Sequence, residues 1–428
     1  MGHKHASMHL PSYPFALLYT CTGQAIPMES GFKAIGKAID GYKGEMTGLL
    51  ASMISIKAVS PKSGGEGEGR RADFLAGILE GWGLKVSRYE YKDQTSTSRP
   101  SLVARIGERK RTIWLVAHTD TVAEGDRSLW KTDPYKAHID GDRIYGRGTI
   151  DDGQAVVSCM YAMKVLKDSG ADLKYNCGLV LAADEENGSR YGMQKLMDEG
   201  LFAKGDMFVV PDFGFPKGDV IEIGEKGLLW LKFTITGKQV HASTPAQGVN
   251  AFRYMSRFVL AVDEKLHKKY TKTNSLFDPA YSTFEMTRHE KNVDSTNIIP
   301  GREVFYLDCR VLPDYSLDAV LADINSVIGS EEFKPVAISM EVMFKETAPV
   351  TDVSSDVIKL LSNAVTELRG ITTKCIGIGG GTCAMFPRQR SMQAAVWLTQ
   401  DPLDHQPDEY AKISDMVADA KVFARLYV

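Results

Sequence analysis

The chain has 428 residues, 43% of them hydrophobic and 25% charged, with a formal net charge of -3. That length exceeds one ordinary core and points to two domains of a soluble globular protein. The near-neutral balance, without a long basic run, argues against nucleic-acid or membrane-surface binding, and no apolar stretch reaches the roughly 18 residues of a membrane helix.

Met1-Gly-His-Lys-His5 precedes a short apolar patch at 13–19 that contains Pro14. The patch is too short and too broken for a good signal peptide. Residues 1–28 are therefore read as an extension without fixed structure, and His3 and His5 as non-ligands. Ile35, Ile39, Tyr42, Met46, Leu49, Met53 and Ile56 alternate in steps of four and three. They predict one amphipathic helix, ended by Ser60-Pro61. Gly64-Gly-Glu-Gly-Glu-Gly69 lacks the Gly-Lys-Ser/Thr of a phosphate loop, and its glutamates would repel phosphate. It predicts a flexible turn into a helix over about 71–81.

Strands at 102–106, 113–117, 178–182 and 207–210 then alternate with helices at 155–167 and 191–199. This order predicts an α/β fold with helices on both faces of a sheet. The texture changes after Gly224-Glu-Lys-Gly227. A half-buried strand at 228–235, a helix at 251–267, a strand at 304–308, a helix at 316–328 and a strand at 337–342 follow. They suggest a β-α-β-β-α-β-like, two-layer α+β sandwich. A long helix at 357–368, a glycine turn and a strand at 393–398 return to the first pattern. The expected organisation is a main domain from 29–225 and 348–428, its mixed sheet covered by helices on both faces, with an inserted domain at 226–347.

The chemistry-bearing residues stand at strand exits, where function in open α/β sheets collects. His118 and Asp120 follow the strand at 113–117. Two positions apart on extended chain, they face one side, so one can bind metal while the other orients it. Asp151-Asp152 follows Gly146-Arg-Gly148, and Asp152 also reads as an N-cap for the helix at 155. Glu185-Glu186 ends the strand at 178–182; one can ligate while the other holds a water. Asp212 lies just past the strand at 207–210, and Asp404-His405 past the strand at 393–398. Each alone is unremarkable. Together they are a set of like charges whose burial costs several kcal/mol unless cations neutralise it. The six cysteines (Cys21, Cys159, Cys177, Cys309, Cys375, Cys383) form no CxxC pair and read as reduced, mostly buried thiols of a cytoplasmic protein.

In this order the motifs resemble the co-catalytic zinc metallopeptidase family of acetylornithine deacetylase, succinyl-diaminopimelate desuccinylase, aminoacylase-1 and carboxypeptidase G. The likeness runs from about residue 30 to the C-terminus. It implies a zinc-peptidase-like catalytic domain with a lid and dimerisation insert. It also implies two divalent metal ions, zinc or in substitution cobalt or manganese, held by His118, Asp151, Glu186, Asp212 and His405. Asp151 bridges; His118 and Asp212 serve one ion, and Glu186 and His405 the other. Asp120 orients His118, and Glu185 is the general base for a metal-bridging water.

In the insert, Gly237-Lys-Gln-Val-His241-Ala-Ser-Thr-Pro245 resembles the family's lid segment, whose histidine reaches the site, often from the partner of a homodimer. Asn297, Arg310 and the turn around Gly380 match substrate-contacting positions, although Arg310 also reads as a salt bridge to Asp308. Two departures stand out. Asp151-Asp-Gly-Gln154 replaces the usual Asp-Asp-Lys-Gly. Met385 stands where an arginine commonly grips a substrate carboxylate, leaving Arg310 or Arg388 to compensate. The implied activity is hydrolysis of an amide in a small N-acyl amino acid. A dipeptidase or carboxypeptidase on the same site is the alternative, and a catalytically inactive metal-binding interaction protein a remoter one.

Overall fold

The structure, a computed structural model, describes residues 19–20 and 30–428. The reading of residues 1–28 and Cys21 falls outside these, apart from a two-residue strand, β1 (Tyr19–Thr20). The chain divides into two compact units. The larger takes in Thr20–Glu225, Ala348–Ile376 and Gly380–Val428; the other is built on Lys226–Thr347 with Gly377–Gly379.

After β1 come helices α1 (Ser30–Gly41), α2 (Lys43–Ser55) and α3 (Gly69–Gly81), then strands β2 (Val86–Lys92), β3 (Ser98–Ile106) and β4 (Thr112–His118). A small hairpin, β5 (His138–Asp140) and β6 (Arg143–Tyr145), leads to α4 (Gln154–Ser169), β7 (Asn176–Ala182), α5 (Met193–Asp198), β8 (Met207–Gly214) and β9 (Val220–Glu225). The inserted unit supplies β10 (Gly227–Thr236), β11 (Val240–His241), α6 (Ala251–Lys269), β12 (Thr283–His289), β13 (Ile298–Ile299), β14 (Arg302–Val311), α7 (Leu317–Ile328) and β15 (Ala337–Glu346). The chain closes with α8 (Asp356–Arg369), β16 (Lys374–Ile378), α9 (Met385–Gln389), β17 (Gln393–Leu398), β18 (Tyr410–Lys412) and α10 (Ile413–Arg425).

Nine strands form the main sheet in the order β1-β16-β9-β17-β8-β4-β7-β3-β2. β17, β8, β4 and β7 run parallel, while β9, β3 and β2 pair antiparallel at the flanks, so the sheet is mixed. Every residue of β4 and β7 is buried, as in a strand covered on both faces. Side-chain alternation sorts them. Trp114, Val116, Val180 and Val396 pack with Met193 and Leu196 of α5 and Phe386 of α9, and α4, backed by α10, lies against β4 and β7. The parallel core therefore presents the carboxyl ends of four strands together.

The expected long first helix is broken. Gly41 ends α1, and Tyr42 leaves helical geometry (φ -88°, ψ 1°) before α2 begins. Glycines at 36, 41, 44 and 48 lower helix propensity there, yet the apolar stripe keeps its purpose, with Ile35, Ile39, Met46, Leu49 and Met53 all buried. The helix also stops at Ser55, well before Pro61, which instead opens a 3-10 turn. The glycine run is a turn into α3, with Gly64 and Gly67 at positive φ, but Glu68 within it is fully buried.

In the inserted unit, four strands pair in the order β12-β14-β10-β15. Leu229, Leu231, Phe233 and Ile235 of β10 face a core shared with Phe258 of α6 and Val320 of α7. The intervening residues face outward, and Trp230 remains 42% exposed. The helix-and-strand order is β-α-β-β-α-β once the short β11 and β13 are set aside.

Candidate metal centre

His118 is the last residue of β4 and is buried. Its Nδ1 lies 3.1 Å from the Asp120 carbonyl oxygen, so a neutral ring donates Nδ1–H there and turns its Nε2 lone pair toward the carboxylates. That Nε2 is 2.8 Å from Asp151 Oδ1 and 3.4 Å from Asp212 Oδ1. Asp212 lies two residues before the end of β8, beside β4 in the sheet. The other Asp151 oxygen, Oδ2, is 3.0 Å from His405 Nε2, which is also 3.0 Å from Glu186 Oε2. His405 holds this place at φ +62°, a conformation non-glycine residues seldom adopt. Glu186 is set in turn by the Val122 N–H, which donates to its Oε1 at 3.0 Å.

The result is two triads, His118–Asp151–Asp212 and Asp151–Glu186–His405, each with ligand atoms within 4.8 Å of one another. Asp151 belongs to both and gives one oxygen to each. The five residues singled out from sequence converge.

Asp120 ties the triads to the acidic doublet. Its Oδ1 accepts the Glu185 N–H at 3.0 Å and its Oδ2 the Glu186 N–H at 3.2 Å. Glu185 opens a 3-10 turn after β7. Burial, then the charge of Asp212, push its carboxyl well above the usual range. Burial and Asp151 push Glu186 up to about 7. Burial depresses His118, but hydrogen bonds to Asp120, Asp151 and Asp212 outweigh it and hold the imidazole well above its ordinary value. Hydrogen bonds to Asp151 and Glu186 raise His405 to about 10. These shifts have two origins: burial, and carboxylates and imidazoles packed against one another. Imidazole nitrogens and carboxylate oxygens gathered around a shared aspartate fit a pair of divalent ions.

Asp152 is not an N-cap. Its Oδ2 accepts the His118 N–H at 3.0 Å, so it sets the end of β4, and the N-cap of α4 is Gly153 with no side-chain bond. Gly153 also explains the first departure from the family pattern. A Cβ there would lie 2.3 Å from the Gly148 carbonyl oxygen and 2.6 Å from Leu50 Cδ1, so a lysine has no room. Gln154 instead reaches Thr399 O at 2.8 Å and Asp419 Oδ2 at 3.1 Å.

Arg388 does not compensate for Met385. It is buried, with Nη1 3.0 Å and Nη2 3.1 Å from the two Glu222 oxygens. Met385 itself is buried at the start of α9.

Sequence reasoning passed over Glu409 and Arg147. Buried Glu409 accepts the Ile150 and Asp151 N–H groups at 3.0 and 3.3 Å and pairs with Arg147, so it holds the backbone of the shared aspartate. Its nearness to His405 in the chain was the available signal.

Within the inserted unit, β11 pairs with β13, setting His241 opposite Ile298. Ala242 N–H donates to the Asn297 carbonyl at 2.8 Å, so His241 and Asn297 are neighbours. Ser243 N–H donates to His241 Nδ1 at 3.2 Å, which leaves the proton of the neutral ring on Nε2. Arg310 grips both oxygens of Asp308 at 2.7 and 2.9 Å and donates Nη1–H to the Gly379 carbonyl at 2.8 Å. The salt-bridge reading thus describes its geometry. Gly380 begins the return to the larger unit.

A mixed sheet that brings an acid-and-imidazole cluster to the ends of its parallel strands defines a metallohydrolase. The chain belongs to peptidase family M20/M25/M40, whose model matches residues 114–428. It is 38% identical over 396 residues to an uncharacterized metallohydrolase of Methanocaldococcus jannaschii, covering 88% of this chain and 97% of that protein. It is 30% identical over 345 residues to a succinyl-diaminopimelate desuccinylase of Gluconobacter oxydans, covering 78% and 84%. The M20 family metallo-carboxypeptidase Sso-CP2 of Sulfolobus solfataricus shares the fold, with a TM-score of 0.73 at 22% identity over 89% of this chain and 98% of that one.

Proposed function

We propose that this metallohydrolase cleaves an amide bond in a small N-acyl amino acid, as deacylases of the acetylornithine deacetylase and succinyl-diaminopimelate desuccinylase type do. The observation that carries the reading is Asp151, which presents one carboxylate oxygen to each of two histidines. On this reading His118 and Asp212 hold one zinc ion, Glu186 and His405 a second, and Asp151 both. When bound, such ions polarise an amide carbonyl and acidify water. Glu185 is the general base. Burial and the charge of Asp212 raise its proton affinity, so that, as the carboxylate beside bound cations, it would be a stronger base than a free glutamate, able to take a proton from water and deliver it to the departing amine. His241, with its Nε2–H free, is the donor assigned to the developing oxyanion. Asn297, Arg310 and Gly380 are assigned to the substrate, Arg310 from a guanidinium already oriented by Asp308.

The inserted unit is assigned as lid and homodimer surface. Trp230, Val342 and Met343 are exposed on it, Trp230 against Phe344 with ring centroids 5.1 Å apart, and β15 is an edge strand. A cytoplasmic site of action goes with the buried free thiols. Among the described residues no helix is long and apolar enough to cross a membrane.

The likeness in fold to a metallo-carboxypeptidase supports peptidase action as a second reading. Metal analysis followed by a panel of N-acyl amino acids and dipeptides tests both. Turnover confined to N-acyl amino acids supports the deacylase. Preference for dipeptides supports the peptidase, and failure to bind a divalent metal removes both.

A further inference from the structure

Arg99 lies in β3, one strand beyond β7 and well away in sequence from every ligand. Its side chain is 1% exposed and four carboxylates surround it. Nε donates to Glu68 at 2.8 and 3.0 Å, and Nη1 donates to Asp184 Oδ1 at 2.7 Å. Asp93 Oδ2 lies 3.7 Å from Nη1, and Asp120 Oδ2 lies 3.6 Å from Nη2. Nη2 makes no hydrogen bond of its own and meets Asp120 only as an ion pair.

Two of these partners frame the acidic doublet. Asp184 immediately precedes Glu185 at φ +64°, and its Oδ2 accepts the Tyr191 N–H at 3.0 Å, which closes the loop that carries the doublet. Asp120 receives the N–H groups of both Glu185 and Glu186. The guanidinium therefore holds the doublet's turn from both sides, directly through Asp184 and electrostatically through Asp120.

We propose that Arg99 is the positioning residue of the metal centre: it fixes the turn carrying Glu185 and Glu186 and neutralises the buried Asp120 carboxylate that receives the N–H groups of both, in the same residue whose carbonyl oxygen faces His118 Nδ1. The inference rests on the two-metal reading above. Without Arg99, Glu68, Asp93, Asp120 and Asp184 would be left facing one another in a buried space. Asp120 would then relax away from His118 and the doublet. Lysine keeps the charge but cannot reach Glu68, Asp184 and Asp120 at once, because it lacks the planar fork.

The test is a zinc titration by calorimetry on the full chain, with thermal unfolding and steady-state kinetics at saturating zinc, for R99K, R99M and E68Q. R99K is expected to bind two zinc ions about 10–100-fold more weakly and to lose kcat by a similar factor with KM little changed. R99M should go further in the same direction. E68Q, which leaves the contacts to Asp184 and Asp120, should lower the unfolding temperature but keep zinc affinity within about threefold, a threshold well inside the 10–100-fold expected for R99K. A folded R99K with parental zinc affinity and parental kcat overturns the proposal, whatever its thermal stability. A parent protein that binds no zinc overturns the two-metal reading instead, so the two failures are distinct.

Discussion

Glu222 and Glu225 share the Arg388 guanidinium deep in the larger unit, whereas Asp151, in the turn before α4, Glu186, in the turn after β7, and Asp212, near the end of β8, share the imidazoles of His118 and His405. Both groups crowd carboxylates into buried space. Arg388 is a permanent cation with a fork that fits a carboxylate, and it also reaches Thr351 Oγ1 at 3.2 Å. Imidazole is charged only when protonated, and its neutral nitrogen is a metal ligand. The first cluster has its own fixed cation, which Glu222 grips with both oxygens. The second is complete only as a set of ligands. Buried acids alone thus say little about function; the nature of the nearby cation separates a structural cluster from a reactive one.

The largest effect that would break this comparison is metal removal. Dialysis against a chelator is expected to abolish amide hydrolysis and leave the circular dichroism spectrum folded, and added zinc should restore turnover. Persistent turnover in metal-free protein would refute the division. Next, Glu185→Gln is expected to lower kcat by about 10²–10⁴-fold with little change in KM; zinc content measured by atomic absorption should match the parent.

Arg388→Met probes the other cluster. Breaking a buried ion pair from one side costs about 3–5 kcal/mol, seen as a lower denaturation midpoint, while the folded fraction should bind zinc at parental stoichiometry. Loss of zinc binding there would mean that the clusters are not independent.

The smallest effect concerns pH. Burial, then the neighbouring Glu222 against the pull of Arg388, raise the Glu225 carboxyl from an ordinary 4.5 to about 8. The folded state thus binds this proton more tightly than the unfolded chain. The contribution to stability is full below about 4.5 and is lost as pH rises through about 8. Denaturation midpoints should fall across that window, and Glu225→Gln should flatten the fall. An equal slope in the variant would remove Glu225 as its source.

Some of this was legible in the chain and some was not, for physical reasons. His118, Glu185, Glu186 and Asp212 stand directly after apolar runs, and strand exits at the carboxyl edge of a parallel sheet face one place. Local pattern therefore sufficed to collect them. β2 was missed because it alternates weakly and is largely exposed at the sheet edge. α10 begins at once after β18 with no side-chain cap, so its start carries no local signal. Asp152 looked like a cap because an acid before a helix usually is one; here the N–H that it serves belongs to His118, a contact that only folding creates. Arg99 stood in no motif and Glu68 lay in the glycine run read as a flexible turn, yet they are buried together from separate elements.

By itself the sequence determined the α/β class and singled out the acids and histidines that follow apolar runs, because periodicity and strand-end chemistry are properties of neighbouring residues. Only the tertiary structure decided which charges neutralise one another. It enclosed Arg99 and Arg388 among carboxylates and left Asp151 between two histidines, because such pairings depend on distances between segments remote in the chain.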